Sequence, residues 1–399
     1  MALTHRERFR RLMHYQTVDR GIHWDFGFLE ETMERWAQEG LPEDVGAPGG
    51  DRMGRISRYF CVDPTMHVPV HIGLNPGFEY ELIEDRERTI VYRNGDGCIV
   101  EEAKEGQRTI PHVIEQGLKS RADWERYKAR LNPDDPARHQ WDYAALAEQY
   151  NNADVPVIVG CGSYMGWLRN WIGAAEIGML CYDDPALMAE MVNHLCDLFI
   201  TMLEPALHHI QVDLAWGWED ICFNNGPLIG PNLWRQLVYE PQKRVFDVLR
   251  QHGCDIILTD CDGNVFALQE VWIEIGLNGA FPCEVNGNSD PIELRKRFGR
   301  ELRIFGGVNK QKMRTREDVL AELIRLTPLL EDGAFIPFCD HRVPEYVPLD
   351  AYRYYEREKL AMLGFSREEA EAIEPLRGIE PTQGSIFTRD IGGVQRPPL

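Results

Sequence analysis

Four residues stand out for the chemistry they offer: Cys261, Glu284, Cys339 and His341. Each follows a short apolar run, and none is a favoured helix N-cap, so the usual structural reason for a polar residue at such a place is missing. Thiolate, imidazole and carboxylate brought to one point suit a mononuclear Zn²⁺ site. Such a centre takes about three protein ligands and leaves one position for water or substrate. Asp260 and Asp262, which flank Cys261, are titratable groups at the same strand end. A metal-free arrangement uses the same residues otherwise, with cysteines as small buried hydrophobes and carboxylates hydrogen-bonding a polar substrate.

A second cluster is Trp216-Gly217-Trp218-Glu219-Asp220, followed by Asn224 and Asn225. Paired indoles form a wall for a flat or apolar substrate, with Glu219 or Asp220 as acid, base or ligand. Trp167 and Trp171 add to it, although tryptophans so spaced also make ordinary core. The segment Gly21–Gly27 supplies His23, Trp24 and Asp25. Asn264 and Asn309 are candidates for substrate contact, while Asn264 and Asp290 also suit helix caps. In Gly306-Gly307-Val308-Asn309-Lys310, two glycines allow close backbone approach, and Lys310 is a minor candidate for a nucleophile.

The elements that must position these groups repeat from about residue 150. Short apolar runs (Val155–Cys161, Asp213–Trp218, Asp255–Thr259, Gly279–Cys283, Leu302–Gly306, Ala334–Phe338) alternate with helical stretches near Pro185–His208, Pro231–His252, Val265–Ile275, Pro291–Phe298, Arg316–Leu330 and Leu349–Leu363. Wholly apolar strands alternating with helices imply a parallel sheet covered by helices. The expected fold is α/β, a (β/α)8 TIM barrel over residues 1–365, with Gly21–Gly27 as its first strand; an open doubly wound sheet is the alternative. In a barrel the residues just past each strand form the site. Residues 68–112 change texture, and Asn94-Gly95 marks a hairpin, so an antiparallel β insertion is expected there. Helix returns over Lys119–Tyr150, and residues 366–399 form an extended C-terminal tail.

The chain has 399 residues, with 43 Lys and Arg against 64 Asp and Glu, for a net charge of −21. That balance argues against nucleic-acid or anionic-membrane partners. No window approaches the roughly 18 consecutive apolar residues of a membrane span, and the first residues carry charges where a signal peptide needs an apolar run. A cytoplasmic enzyme with a small-molecule substrate is expected. Ten cysteines without a CxxC pair read as reduced thiols.

Several landmarks together resemble the uroporphyrinogen decarboxylase superfamily, in its branch near the corrinoid-dependent methyltransferases. They are Arg6-Glu7-Arg8-Phe9 with Val18-Asp19-Arg20, the stretch Trp218–Pro231, Asp262-Gly263-Asn264, Phe281–Glu284, Gly306–Lys310 and Asp340–Pro344. The resemblance implies a (β/α)8 barrel, commonly a homodimer, with its site in the barrel mouth. Decarboxylases of the family carry an arginine-rich segment against the substrate's carboxylates; Trp24–Phe28 here holds Asp25 and no arginine. The methyltransferases hold zinc by a His-x-Cys pair and a later Cys. Asp260–Asn264 lies at the first position and Cys339 at the second, with either Asp260 and Asp262 or Cys261 in register, and Glu284 with Cys339 or His341 completing the set. The implied function is metal-assisted methyl transfer from a small, methoxylated substrate to a corrinoid carried on a separate protein. The alternative is a metal-free decarboxylase or lyase with Asp25 or Asp262 as acid/base; a catalytically silent binding subunit is the third reading.

Overall fold

A computed structural model describes residues 2–105, 111–379, 382 and 385–388. They fall into two compact units: one formed by residues 1–65, 154–156 and 280–399, the other by residues 66–153 and 157–279.

In the middle unit, the strands Met66–Val68, Val157–Gly162, Leu214–Trp218 and Ile257–Asp260 are neighbours in that order and all parallel. Val157, Val159, Leu214 and Ile257 are completely buried, as strands covered on both faces require. The register sets Ile158 beside Leu214 and Trp218 beside Asp260, so the residues after these strands emerge at one level. Helices lie between the strands. The helix Pro185–Leu207 has proline in its first turn and an Asp184 cap on the Leu187 N–H. By length and composition it would also cross a membrane, but Leu195, Phe199 and Leu203 are core residues here. The helical stretch expected over Pro231–His252 is two helices, Pro231–Leu237 and Tyr239–Gln251, broken at Val238.

The antiparallel insertion is present. Glu81–Asp85, Thr89–Arg93, Ile99–Ala103 and His112–Glu115 form a four-stranded sheet in sequence order. Asn94 and Gly95 lie in the hairpin between its second and third strands, as expected. The Asn94 Oδ1 accepts the Asp96 and Cys98 N–H groups, and Gly97 takes a φ of 83°.

In the terminal unit, Gly279–Phe281, whose first residue marks the boundary, Arg303–Phe305 and Phe335–Ile336 are neighbours in that order, the last two parallel. Several of its helices start on side-chain caps, among them Thr4, Asp290, Thr315, and a reciprocal Ser366 and Glu369 box. The six runs expected from residue 150 onward are thus all strands, and the fold is α/β with a mostly parallel sheet. Gly21–Gly27, however, forms no ladder. Its N–H groups go elsewhere: Gly21 donates to the Leu363 carbonyl and His23 to Asp63 Oδ2, and pairing is limited to a bridge between Phe28 and Val343. The two arginine signatures near the N-terminus hold this segment. Arg8 forks onto Asp19 at 2.7 and 2.9 Å, and Arg20 onto Asp63 at 2.7 Å twice. Residues 367–372 of the expected extended tail are helical, and Ser385 and Ile386 donate to Glu358. Residues 389–399 of that tail lie outside the described residues.

Gly307 takes a φ of 82°, and a Cβ there would stand 2.6 Å from Pro291 Cγ. Gly307→Ala is therefore expected to lower stability by about 1–3 kcal/mol, measured by thermal or denaturant unfolding. An unchanged midpoint would contradict the crowding.

Candidate active site

The strand-end residues of the terminal unit gather around two buried carboxyls. Asp340 is completely buried; its Oδ2 accepts the Val285 N–H at 2.9 Å and its Oδ1 the Lys310 N–H at 2.9 Å. It thereby ties together the segments that follow three strands. Burial raises its carboxyl to about 6, against the pull of Lys310 and the two N–H donors. Lys310 Nζ pairs with Glu284 Oε1 at 2.6 Å. Burial opposes the ammonium of Lys310, but Glu284 and Asp340 outweigh it and leave its pKa raised, so it is not poised as a nucleophile.

Asp25 is the other carboxyl. Its Oδ2 is buried without a hydrogen-bond partner, while the residue as a whole keeps an exposed edge. Burial lifts it to about 6, with Lys359 opposing and Glu356 reinforcing the shift. Lys359 Nζ donates to Glu356 Oε1 at 2.9 Å and to the Trp24 carbonyl at 3.2 Å. His23 Nε2 lies 3.3 Å from Glu356 Oε2, and burial lowers His23 to about 4, which keeps the imidazole neutral near pH 7. Both Tyr352 and Tyr355 are influenced by Asp25 and Glu356. Phe26 stands edge-on to Phe281 and to His341, with ring centroids 4.8 and 5.7 Å apart, so His341 belongs to the same neighbourhood. Trp24 is in the core, stacked between Phe9 and Phe305 at 5.5 and 6.4 Å. Asn309 caps a 3₁₀ turn through the Gln311 N–H and accepts from Asn286, a structural use of a side chain expected at substrate.

In the middle unit, Glu219 is completely buried. Its Oε1 accepts the Tyr164 N–H at 2.8 Å, and its Oε2 accepts those of Met165 and Gly166 at 2.9 Å. Gly166 is required there, because a Cβ would meet the Glu219 carbonyl oxygen at 2.1 Å. Burial raises Glu219 to about 7 against those donors and Arg169. Its lone pairs are taken by main chain, so it holds the loop, a different role from the acid, base or ligand expected. Asp220 takes a φ of 45°, pairs with Arg169 at 3.0 Å and is raised by burial, with Asp262 beside it as a like charge. The Asp260 carbonyl accepts the Glu219 N–H. Trp216 and Trp218, two residues apart on one strand, are both half-buried. Asn264 Oδ1 accepts the Phe266 N–H and so acts as a cap. Asn224 and Asn225 are exposed at the tip of a small hairpin, Cys222–Phe223 with Gly226–Pro227.

The expected zinc donors are divided between the two units, Asp260, Cys261 and Asp262 in the middle one and Glu284, Cys339 and His341 in the terminal one. Among the described residues no group of three or more His, Cys, Asp or Glu side chains could hold a metal ion. Glu284 is engaged by Lys310. Burial pushes the thiols of Cys261 and Cys339 up, and the Cys261 Sγ accepts from the Ile221 N–H at 3.4 Å.

Residues 97–336, more than half of the chain, match the family model described as uroporphyrinogen decarboxylase (URO-D), and the chain belongs to that family. No curated protein matches it. Of 27 solved chains that match, one is a methyltransferase from Methanosarcina mazei, 13% identical, covering 89% of this chain and 97% of its own length with a TM-score of 0.55. At that identity the likeness concerns the fold.

Glu219→Gln puts an amide N–H₂ where only acceptors are wanted, so it is expected to cost about 2 kcal/mol or more in unfolding free energy. Glu219→Gln with wild-type stability in a urea titration would refute the clamp.

Proposed function

We infer that this chain is an enzyme transferring a methyl group from a small methoxylated substrate to a corrinoid carried on a separate protein. The observation that carries the reading is Asp25, a carboxyl with a buried, unpartnered oxygen and a pKa raised to about 6. Such a group retains a proton close to neutral pH and can deliver it. The methyl–oxygen bond breaks, the methyl passes to the acceptor, and the oxygen leaves with the proton of Asp25. In this reading a proton takes the part first expected of a metal. Lys359 and Glu356 hold Asp25 in its field, and His341 with Phe26 flanks the place where the substrate oxygen would lie. Membership of the URO-D family and the name of the Methanosarcina structure are compatible with this chemistry.

The same carboxyl favours a second reading, a lyase in which a carboxylate leaves as CO₂ and Asp25 protonates the carbon left behind. Product analysis separates the two. Methyl transfer gives a demethylated product and a methylated corrinoid protein, whereas a lyase releases CO₂ from a carboxylated compound with no corrinoid present.

In either case the protonated form of Asp25 is the active one, so the rate is expected to fall as pH rises above about 6. Asp25→Asn is expected to lower turnover at least tenfold, about 1.4 kcal/mol in the barrier. Full activity in Asp25→Asn would remove the acid from the mechanism. The folded pKa of Asp25 lies above its ordinary value of 3.8, so ionisation costs stability as pH rises through this interval. Asp25→Asn should therefore melt higher than wild type at pH 7, and the gain should vanish below about pH 4. Melting curves at the two pH values check the sign.

A further inference from the structure

A cavity of about 380 Å³ in the middle unit is lined by Gly73, Leu74, Asp96, Trp167, Asn170, Trp171 and Trp218. Its volume is within the range of small-molecule sites, about 300–1,000 Å³. Three of the ten tryptophans of the chain line it, and its polar side chains are one carboxylate and one amide. The rings are fixed in place. Trp171 packs on Tyr127 at 5.0 Å and on Trp167 at 6.1 Å, and Trp167 meets Phe199 edge-on at 5.5 Å.

The Asn94-Gly95-Asp96-Gly97 turn is what brings the carboxylate there. Asn94 holds the Asp96 N–H, the Tyr127 hydroxyl donates to the Asp96 carbonyl at 2.5 Å, and a side chain at Gly97 would stand 2.9 Å from that hydroxyl. The Asp96 carboxyl is mostly buried and accepts from the Trp171 side chain. Among the described residues no cation pairs with it: the nearby guanidinium of Arg169 lies over the Trp218 ring, 5.5 Å from its centroid, and is bonded to Asp220. A mostly buried carboxylate without a counter-ion, set beside the Trp167 and Trp171 indoles and a Trp218 ring that already meets Arg169, is a site that a cation completes.

We propose that this cavity binds a small cationic quaternary ammonium compound of the choline type. A primary ammonium or a guanidinium brings several N–H donors that must all be directed onto Asp96, which already accepts from Trp171, and Asn170, whose Oδ1 already accepts from Arg169. A methylated ammonium has no N–H to satisfy; it presents a diffuse positive surface that suits indole faces and one carboxylate. The net charge of −21 also raises the local concentration of cations. This inference does not depend on the role given to Asp25.

The test is isothermal titration of the full chain with choline and with its neutral isostere 3,3-dimethylbutan-1-ol. Choline is expected to bind at least tenfold more tightly than the alcohol. Asp96→Asn, which keeps an acceptor for Trp171, is expected to weaken choline at least tenfold without changing the melting temperature by more than a few degrees. Trp218→Leu, away from the Asn94–Gly97 turn, should weaken choline comparably and supports the proposal even if Asp96→Asn folds poorly. Equal affinity for choline and the alcohol, or no binding of choline to wild type, would overturn it.

Discussion

Main-chain N–H groups at the ends of parallel strands are the constraint on which the rest depends. Once a strand leaves its ladder inside a buried region, its donors lose their partners, and each unsatisfied one costs about 1–3 kcal/mol. Two carboxylates meet that need. Glu219 takes three successive N–H groups after Val157–Gly162, and Asp340 takes one N–H from each of two strand-end segments. Both acids are completely buried. The groups with freer side chains lie beside these clamps, the half-buried indoles Trp216 and Trp218 on a strand and Asp25 on the segment that Arg20 and Asp63 hold.

The electrostatic cost of that construction is visible in the directions of the pKa shifts. Burial raises Glu219, Asp340 and Asp25 alike, but only Asp25 keeps a buried oxygen with no partner. The first two spend their lone pairs on structure, whereas the third has an acceptor or a proton to offer. A raised pKa therefore does not by itself distinguish a clamp from a reactive group; the list of partners does.

Much of the framework was legible in the chain because apolar strands and proline-opened helices leave a periodic trace. The helix Pro291–Phe298 has the expected limits, and the six later strands fall within a few residues of theirs. Gly21–Gly27 was misjudged because its donors are taken by a side chain and a distant carbonyl, which no local pattern encodes. Lys359 and Glu356 were missed for a different reason. The run Glu356-Arg357-Glu358-Lys359 reads as a solvated face, yet all four are at most 1% exposed. Their burial rests on mutual pairing, on Ser385 and on the Trp24 carbonyl. Glu219 was recognised as important, but whether a strand-end acid faces substrate or main chain depends on a loop some fifty residues away.

The loop Tyr164–Gly166 is restrained through its amides, and Tyr164 adds its own side chain, packed edge-on against Phe199 and Phe246 with its hydroxyl donating to the Cys161 carbonyl. An acid that binds main chain fixes where a loop runs, and the side chains packed beneath it then have only their own rotamers to settle.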